Sequence, residues 1–244
     1  MRVLLVKMSS LGDVVHALPA VTDAARHGIR FDWVVEEAFA AIPALHPAVD
    51  RVIPIAWRRW RHSLGAERAA LADFFKRLRA TRYDLVLDAQ GLVKSAVVTR
   101  AARAHSRAGL GFGSAREGVA ALAYDRRVTV ARDWHAIDRL RALFADALGY
   151  PAPAADAPLD YGVRVGTERV RRCVLLHGTT WASKHWPDVF WMALARRVRE
   201  AGYEVALPAG NGAEAARASA IAAQVGGAVW SGMRSVGAPA ISAP

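Results

Sequence analysis

The chain has 244 residues, 53% of them hydrophobic and 23% charged, a balance that fits a globular protein of one large domain or two smaller ones. Its single cysteine, Cys173, excludes an internal disulfide framework and a cysteine-based zinc site. No apolar run reaches the roughly 18 residues of a transmembrane helix, the N-terminus has no signal-peptide pattern, and the expected location is the cytoplasm. The formal net charge of +11 asks for an anionic partner, whether nucleic acid, an anionic membrane surface or a phosphorylated substrate.

The first twenty residues, MRVLLVKMSSLGDVVHALPA, read as a buried strand (Arg2 to Val6) followed by a turn and a helix. Ser9, Ser10 and Gly12 turn the chain, and Asp13 precedes the apolar-periodic positions Val14, Val15, Ala17, Leu18 and Val21. Asp13 therefore stands at or near a helix N-terminus, where capping is the plain explanation. Lys7, Ser9, Ser10, Asp13 and His16 crowd more polar groups onto this turn than a cap requires. In open α/β folds such a loop lies where ligands bind.

Phe31 to Val35 and Val52 to Ile55 read as further strands. In WRRWRHSLGAER, Arg58, Arg59, Arg61 and Arg68 interleave with Trp57, Trp60 and His62, as either a solvated loop with its tryptophans on the core or an arginine clamp for phosphate or carboxylate. A helix over Leu71 to Ala80 leads to a strand over Tyr83 to Asp88. Another helix starts near Leu92, with Lys94 and Ser95 in its anion-favouring first turn. Arg107 to Leu110 reads as a short strand. The glycines after it do not make a dinucleotide loop, because Arg116 stands where the third glycine of G-x-G-x-x-G belongs. A strand at Arg126 to Val130 and a helix over Trp134 to Leu148, with His135 near its start, complete a doubly wound pattern.

Pro151 to Pro158 reads as a linker. Beyond it Cys173 to His177 reads as a strand and HGTTWASKHWP as a polar turn, after which Pro187 opens a helix through Arg199. Glu204 to Leu207, Ala213 to Ala223 and Ala228 to Trp230 read as strand, helix and strand. Gly178, Thr179, Thr180 and Lys184 suit either an anion site or a hydrated turn; no Walker A pattern is present. Neither D-x-D nor metal-ligand spacing of His, Cys and carboxylates occurs, so no metal cofactor is expected.

Together KMSSLGDVVHALPA, WRRWRHSL, DAQGLVKSA, SARE and HGTTWASKHWP resemble the lipopolysaccharide heptosyltransferases of glycosyltransferase family 9, over residues 1 to about 224. The resemblance implies an α/β fold of the GT-B type with two Rossmann-like domains. An acceptor-binding domain would span 1–150, a linker 151–165, and a partial donor-binding domain 166–244. The last is expected to be incomplete, because from about Val225 the text leaves the family pattern and a D-T-G-L-x-H stretch is missing.

The implied activity is inverting, metal-independent transfer of heptose from ADP-heptose to a Kdo sugar of the lipid A inner core. By position, Asp13 would be the general base and Lys7 would stabilise charge beside it. Thr179, Thr180 and Lys184 would hold the donor diphosphate, with Glu214 near the nucleoside. Ser10, Arg58, Arg59, Arg61, Lys94 and Arg116 would face the anionic Kdo-lipid A acceptor. Peripheral contact with the inner membrane is expected and nucleic acid binding is not, since no nucleic-acid motif occurs. The alternative is an inactive remnant that only binds the acceptor.

Overall fold

The apolar run at the N-terminus is strand β1 (Arg2–Val6), every residue of which after Arg2 is buried. In the computed structural model, residues 1–60, 67–154, 156–163, 170–179 and 182–231 are described. The chain divides into two units, Met1–Arg164 and Val165–Pro244.

In the first unit β1 is followed by α1 (Leu11–Ala25), β2 (Arg30–Glu36), two 3-10 turns, β3 (Val49–Ile55), α2 (Trp57–Trp60), α3 (Arg68–Arg79) and β4 (Arg82–Asp88). The chain continues through α4 (Val93–Ala101), β5 (Arg103–Leu110), a 3-10 helix at Gly118–Ala123, β6 (Arg126–Val128) and α5 (Ala136–Leu148). The six strands form one parallel sheet in the order β3-β2-β1-β4-β5-β6.

Alternate residues of the central strands face opposite layers, as the pleat requires. Val3, Leu5, Phe31, Trp33, Leu85 and Leu87 pack with Val14, Leu18 and Val21 of α1 and with Leu140 and Phe144 of α5. Leu4, Val6, Val34, Ile53 and Val86 face Phe74 and Leu78 of α3 and Val98 of α4. Helices on both faces explain why the strands read as continuous apolar runs rather than alternating ones. At the amino end of the sheet the buried Asp32 accepts a 2.7 Å bond from the Tyr83 hydroxyl and a 2.8 Å bond from Arg51. Burial, with this carboxylate beside it, pushes the Tyr83 hydroxyl up to about 12.

The segment read as a linker is held by the first unit. Tyr161 and Val163 pack on its core, Asp160 pairs with Arg26 at 3.0 Å, and Ala157 accepts from Arg141. Gly162, at φ +65, approaches His46 so closely that a β-carbon would stand 2.1 Å from Nε2, so only glycine fits there. Arg141 also makes a 2.7 Å pair with Asp23, both side chains being nearly fully buried, which ties α5 to α1.

The second unit holds β7 (Arg172–Val174), α6 (Asp188–Glu200), β8 (Glu204–Ala209), α7 (Gly212–Val225) and β9 (Ala228–Ser231), with a parallel sheet in the order β7-β8-β9. Val205, Leu207 and Ala209 pack with Ala195 of α6 and with Ala218, Ile221 and Ala222 of α7 on one face. Regular structure continues past Val225, where the text is expected to leave the family pattern. Gly226 closes α7 in the left-handed conformation, and β9 then pairs with β8 from Ala228 to Ser231. The rest of the tail lies outside the described residues.

Candidate active site

The strand order of the first sheet reverses between β1 and β4, and the loops leaving these two strands meet there. Helix α1 begins at Leu11, earlier than the apolar periodicity implies, with Ser10 as its N-cap residue. Asp13 is thus the third helical residue and not the cap. Its Oδ2 accepts from the Ser10 backbone N–H at 2.8 Å and from the Ser10 hydroxyl at 2.9 Å. Its other oxygen, Oδ1, stands 3.6 Å from Lys7 Nζ. Burial works to raise the Asp13 pKa, yet the Lys7 charge and the two Ser10 bonds outweigh it and hold the carboxyl below the usual range. Burial lowers the Lys7 ammonium, an effect that Asp13 and Asp88 oppose and Arg139 reinforces.

The loop after β4 is built on Asp88. One of its oxygens accepts from the backbone N–H groups of Gln90 and Gly91 at 2.8 and 3.1 Å, and the other from the Tyr124 hydroxyl at 2.8 Å. Full burial nevertheless raises the Asp88 pKa. The Tyr124 ring lies across Gly109, where a β-carbon would stand 2.5 Å from it. So anchored, the loop presents the Gln90 side-chain oxygen to the backbone N–H groups of Met8 and Ser9 at 2.9 and 3.1 Å. Lys94, in the first turn of α4, donates to the Ser9 hydroxyl at 2.9 Å.

These loops bound a cavity of about 130 Å³ lined by Lys7, Asp13, Ala89, Gln90, Leu110, Arg116, Ala136, Arg139 and Leu140. The starts of α1 and α5 adjoin it, with the His16 and His135 rings 5.8 Å apart. Of the residues singled out from the sequence, Lys7, Ser10, Asp13, Lys94 and Arg116 come together in this region. Arg58 and Arg59 are engaged elsewhere. The Arg58 backbone donates to Glu36 and its guanidinium lies over Phe39, while Arg59 pairs with Glu37 and Glu67. Arg61 lies outside the described residues. Sequence reasoning missed Arg139 and Gln90. Gln90 stands in the quoted DAQG stretch, whereas nothing in the α5 pattern separates Arg139 from an ordinary surface arginine.

In the second unit the turn after β7 and the loop after β8 meet. Glu214 accepts from the Gly210 backbone at 2.7 Å, and Gly178 lies so near that a β-carbon would stand 2.9 Å from the carboxylate. Asn211 caps α7 by accepting from the Glu214 backbone at 2.9 Å. Thr179 follows Gly178, Lys184 closes a 3-10 turn at Ala182–Lys184, and Thr180 lies outside the described residues. Arg217, unremarked in the sequence, donates to Asp188, His185 and the Trp186 carbonyl, and so fixes the end of this turn against α7. Among the described residues no group of three or more His, Cys, Asp or Glu could hold a metal ion.

A parallel sheet with its polar loops at the switch point and a second parallel sheet behind its own polar turn make an α/β fold of the GT-B type. Likeness to a solved structure supports this. The Escherichia coli heptosyltransferase WaaC with ADP matches with a TM-score of 0.89 at 43% identity, over 97% of this chain and 76% of that one. A family 9 glycosyltransferase from Veillonella parvula shares the fold at 14% identity with a TM-score of 0.74.

The model of glycosyltransferase family 9 (heptosyltransferase) matches residues 71–229. Lipopolysaccharide heptosyltransferase 1 of Pseudomonas aeruginosa is 52% identical over 234 residues, 91% of this chain and 65% of the relative. The protein of the same name from E. coli K12 is 46% identical over 236 residues, 91% of this chain and 72% of its own length. The chain belongs to glycosyltransferase family 9, and it spans about two thirds of the length of these relatives.

Proposed function

We propose that the chain acts in lipopolysaccharide core synthesis, transferring heptose from ADP-heptose to a Kdo hydroxyl of the Kdo-lipid A acceptor with inversion and without a metal. The observation that carries this reading is the Lys7–Asp13 pair at the switch point, an ionised carboxylate 3.6 Å from a buried ammonium in a cavity edged by Arg116 and Arg139. As the acceptor oxygen bonds to the anomeric carbon, the bond from that carbon to the ADP phosphate oxygen breaks. ADP leaves with the electron pair, and Asp13 takes the hydroxyl proton. Lys7 steadies the carboxylate before transfer, and the arginines meet the acceptor's carboxylates and phosphates.

The donor's diphosphate is assigned to Thr179, Thr180 and Lys184 of the second unit, where hydroxyls and an ammonium replace the charge a metal would supply. Glu214 holds the Gly210 loop in place for the nucleoside through its 2.7 Å bond. Solved relatives carrying ADP and an ADP-heptose analogue support the donor class. Ser10 and Lys94 complete the acceptor side, Arg58, Arg59 and Arg61 being assigned to it by the family resemblance alone, and the chain works at the cytoplasmic face of the inner membrane.

The deciding experiment incubates the purified chain with ADP-heptose and Kdo-lipid A and reads product mass, with Asp13→Asn as control. A heptose-sized gain that the control loses supports the reading. Acceptor binding with no gain by either protein replaces it with an acceptor-binding module, the reading favoured by a second sheet of only three strands among the described residues.

A further inference from the structure

Helix α4 and the 3-10 helix at Gly118–Ala123 pack on each other through Ala96, Ala120, Ala121 and Ala123. Both also turn apolar side chains outward. Val93 and Val97, one helical turn apart, are 46% and 47% exposed, and Val119 and Leu122, three residues apart on a 3-10 helix, are 57% and 66% exposed. These four residues line an open groove of about 410 Å³ together with Arg100. Beside the groove Phe112, also half exposed, lies under the Arg127 guanidinium, which donates to the Ala121 carbonyl. Isolated exposed valines need no explanation, but a contiguous apolar patch on two elements does.

The charge around the patch indicates its partner. Residues 93–127 carry seven Lys or Arg and only two acids, Glu117 and Asp125. The Glu117 carboxylate is turned onto the Val93 backbone N–H at 2.7 Å, and Asp125 is engaged by Arg107. Arg100, Arg103 and Arg116 are exposed. Apolar side chains that can enter the acyl boundary, with arginines placed to meet headgroup phosphates, form the arrangement an anionic bilayer surface binds. The same short segment borders the cavity, since Lys94 reaches Ser9 and Arg116 lines the Lys7–Asp13 pocket.

We infer that the groove formed by Val93, Val97, Val119 and Leu122, with Arg100 on it, docks the protein on an anionic lipid bilayer and so brings a lipid-anchored acceptor to the switch-point cavity. The inference rests on the proposed acceptor class and names the surface that meets its membrane. No penetration by a whole helix is involved, and among the described residues no helix is long and apolar enough to cross a membrane.

The test is sedimentation of the full chain with vesicles of phosphatidylcholine alone or with about one third phosphatidylglycerol, with no sugar substrate present. Binding is expected to the anionic vesicles only. It should weaken with salt and fall at least about tenfold in the double variant Val119→Asp, Leu122→Asp, which replaces exposed side chains and should leave the melting temperature unchanged. A second variant, Leu122→Trp, should keep binding, and its added fluorescence should be quenched by lipids brominated on the acyl chain.

Equal binding by the double-Asp variant, or no quenching of the added tryptophan, overturns the inference. So does self-association of the parent chain that the double-Asp variant abolishes, which would make the groove an interface between copies. A chain that transfers heptose yet ignores vesicles refutes the docking surface alone. A chain that docks through this groove and transfers nothing supports the surface and refutes the activity.

Discussion

Lys7 Nζ lies 3.6 Å from Asp13 Oδ1, and the lysine is buried while the aspartate side chain is 41% exposed. The pair therefore joins a charge that pays for its burial to one that water still reaches. Replacing Lys7 by Met removes the charge that lowers the Asp13 carboxyl, and the Asp13 titration should move upward. Carbon-13 NMR of the labelled carboxyl measures it directly; an unmoved titration would show that the Ser10 bonds alone set the value. Because Asp13 has a lower pKa folded than unfolded, its contribution to stability is present above the ordinary carboxylate range and is lost as pH falls through the lowered value. Asp13→Asn should accordingly flatten the acid side of the stability profile, and, on its proposed role as general base, the proposed transfer should fall about 100-fold to 10,000-fold.

Gly109 is the floor on which the Tyr124 ring rests. A methyl group there would stand 2.5 Å from the ring, which must then shift and loosen its 2.8 Å bond to Asp88. Gly109→Ala should cost about 1–3 kcal/mol in urea unfolding. Tyr124→Phe, which keeps the ring and removes only the donor, should cost about 1–3 kcal/mol, because the buried oxygen loses its 2.8 Å donor and keeps the Thr99 hydroxyl at 3.5 Å. A neutral Gly109→Ala would mean that the ring has room to move.

Arg141 and Asp23 tie α5 to α1 with almost no water around them. Arg141→Ala leaves a buried carboxylate, relieved only in part by the half-exposed Arg26 beside it, and should cost about 3–5 kcal/mol. The double variant Arg141→Met, Asp23→Leu should recover most of that loss, because no buried charge then lacks a partner. Thermal and urea melts of the two variants beside the parent chain compare the two outcomes.

The two sheets should also differ in local stability. In the first unit α1 and α5 cover one face and α3 and α4 the other, whereas the described helices α6 and α7 pack on the face of Val205 and Leu207. Amides of residues 173–207 should exchange faster than those of 83–88, since less apolar burial opposes their opening. Equal protection would contradict this.

Much of the fold is legible in the sequence because its strands are buried on both faces. RVLLV and YDLVLD announce themselves as apolar runs, and the strands and helices of both units appear near their expected places. What the pattern misplaces is set by side chains reaching backbone. Asp13 looks like a cap but serves from the third helical position, and the Pro/Ala-rich stretch after Tyr150 looks like a free tether until Tyr161, Val163 and Gly162 settle on the first unit. Lys7, Asp13 and Arg116 stand in the segments that carry the family resemblance, and the structure brings them to one cavity. Arg139 and Arg217 escaped because a helical arginine carries no local sign of what it will touch. The Asp32–Arg51–Tyr83 cluster is equally silent, since its members come from three strands.

The two N–H groups that converge on the Gln90 side chain belong to residues 82 and 81 positions earlier in the chain. The serine loop is therefore synthesised well before Gln90, and although Met8 can already accept from the Glu36 backbone, the side chain that gathers these two N–H groups is in place only once β4 has been laid beside β1. Closing so long a loop is slow compared with forming α1. The Gln90 bonds to the serine loop are accordingly a late product of folding, and a nascent chain stalled before residue 90 would carry Asp13 and its Ser10 bonds without them.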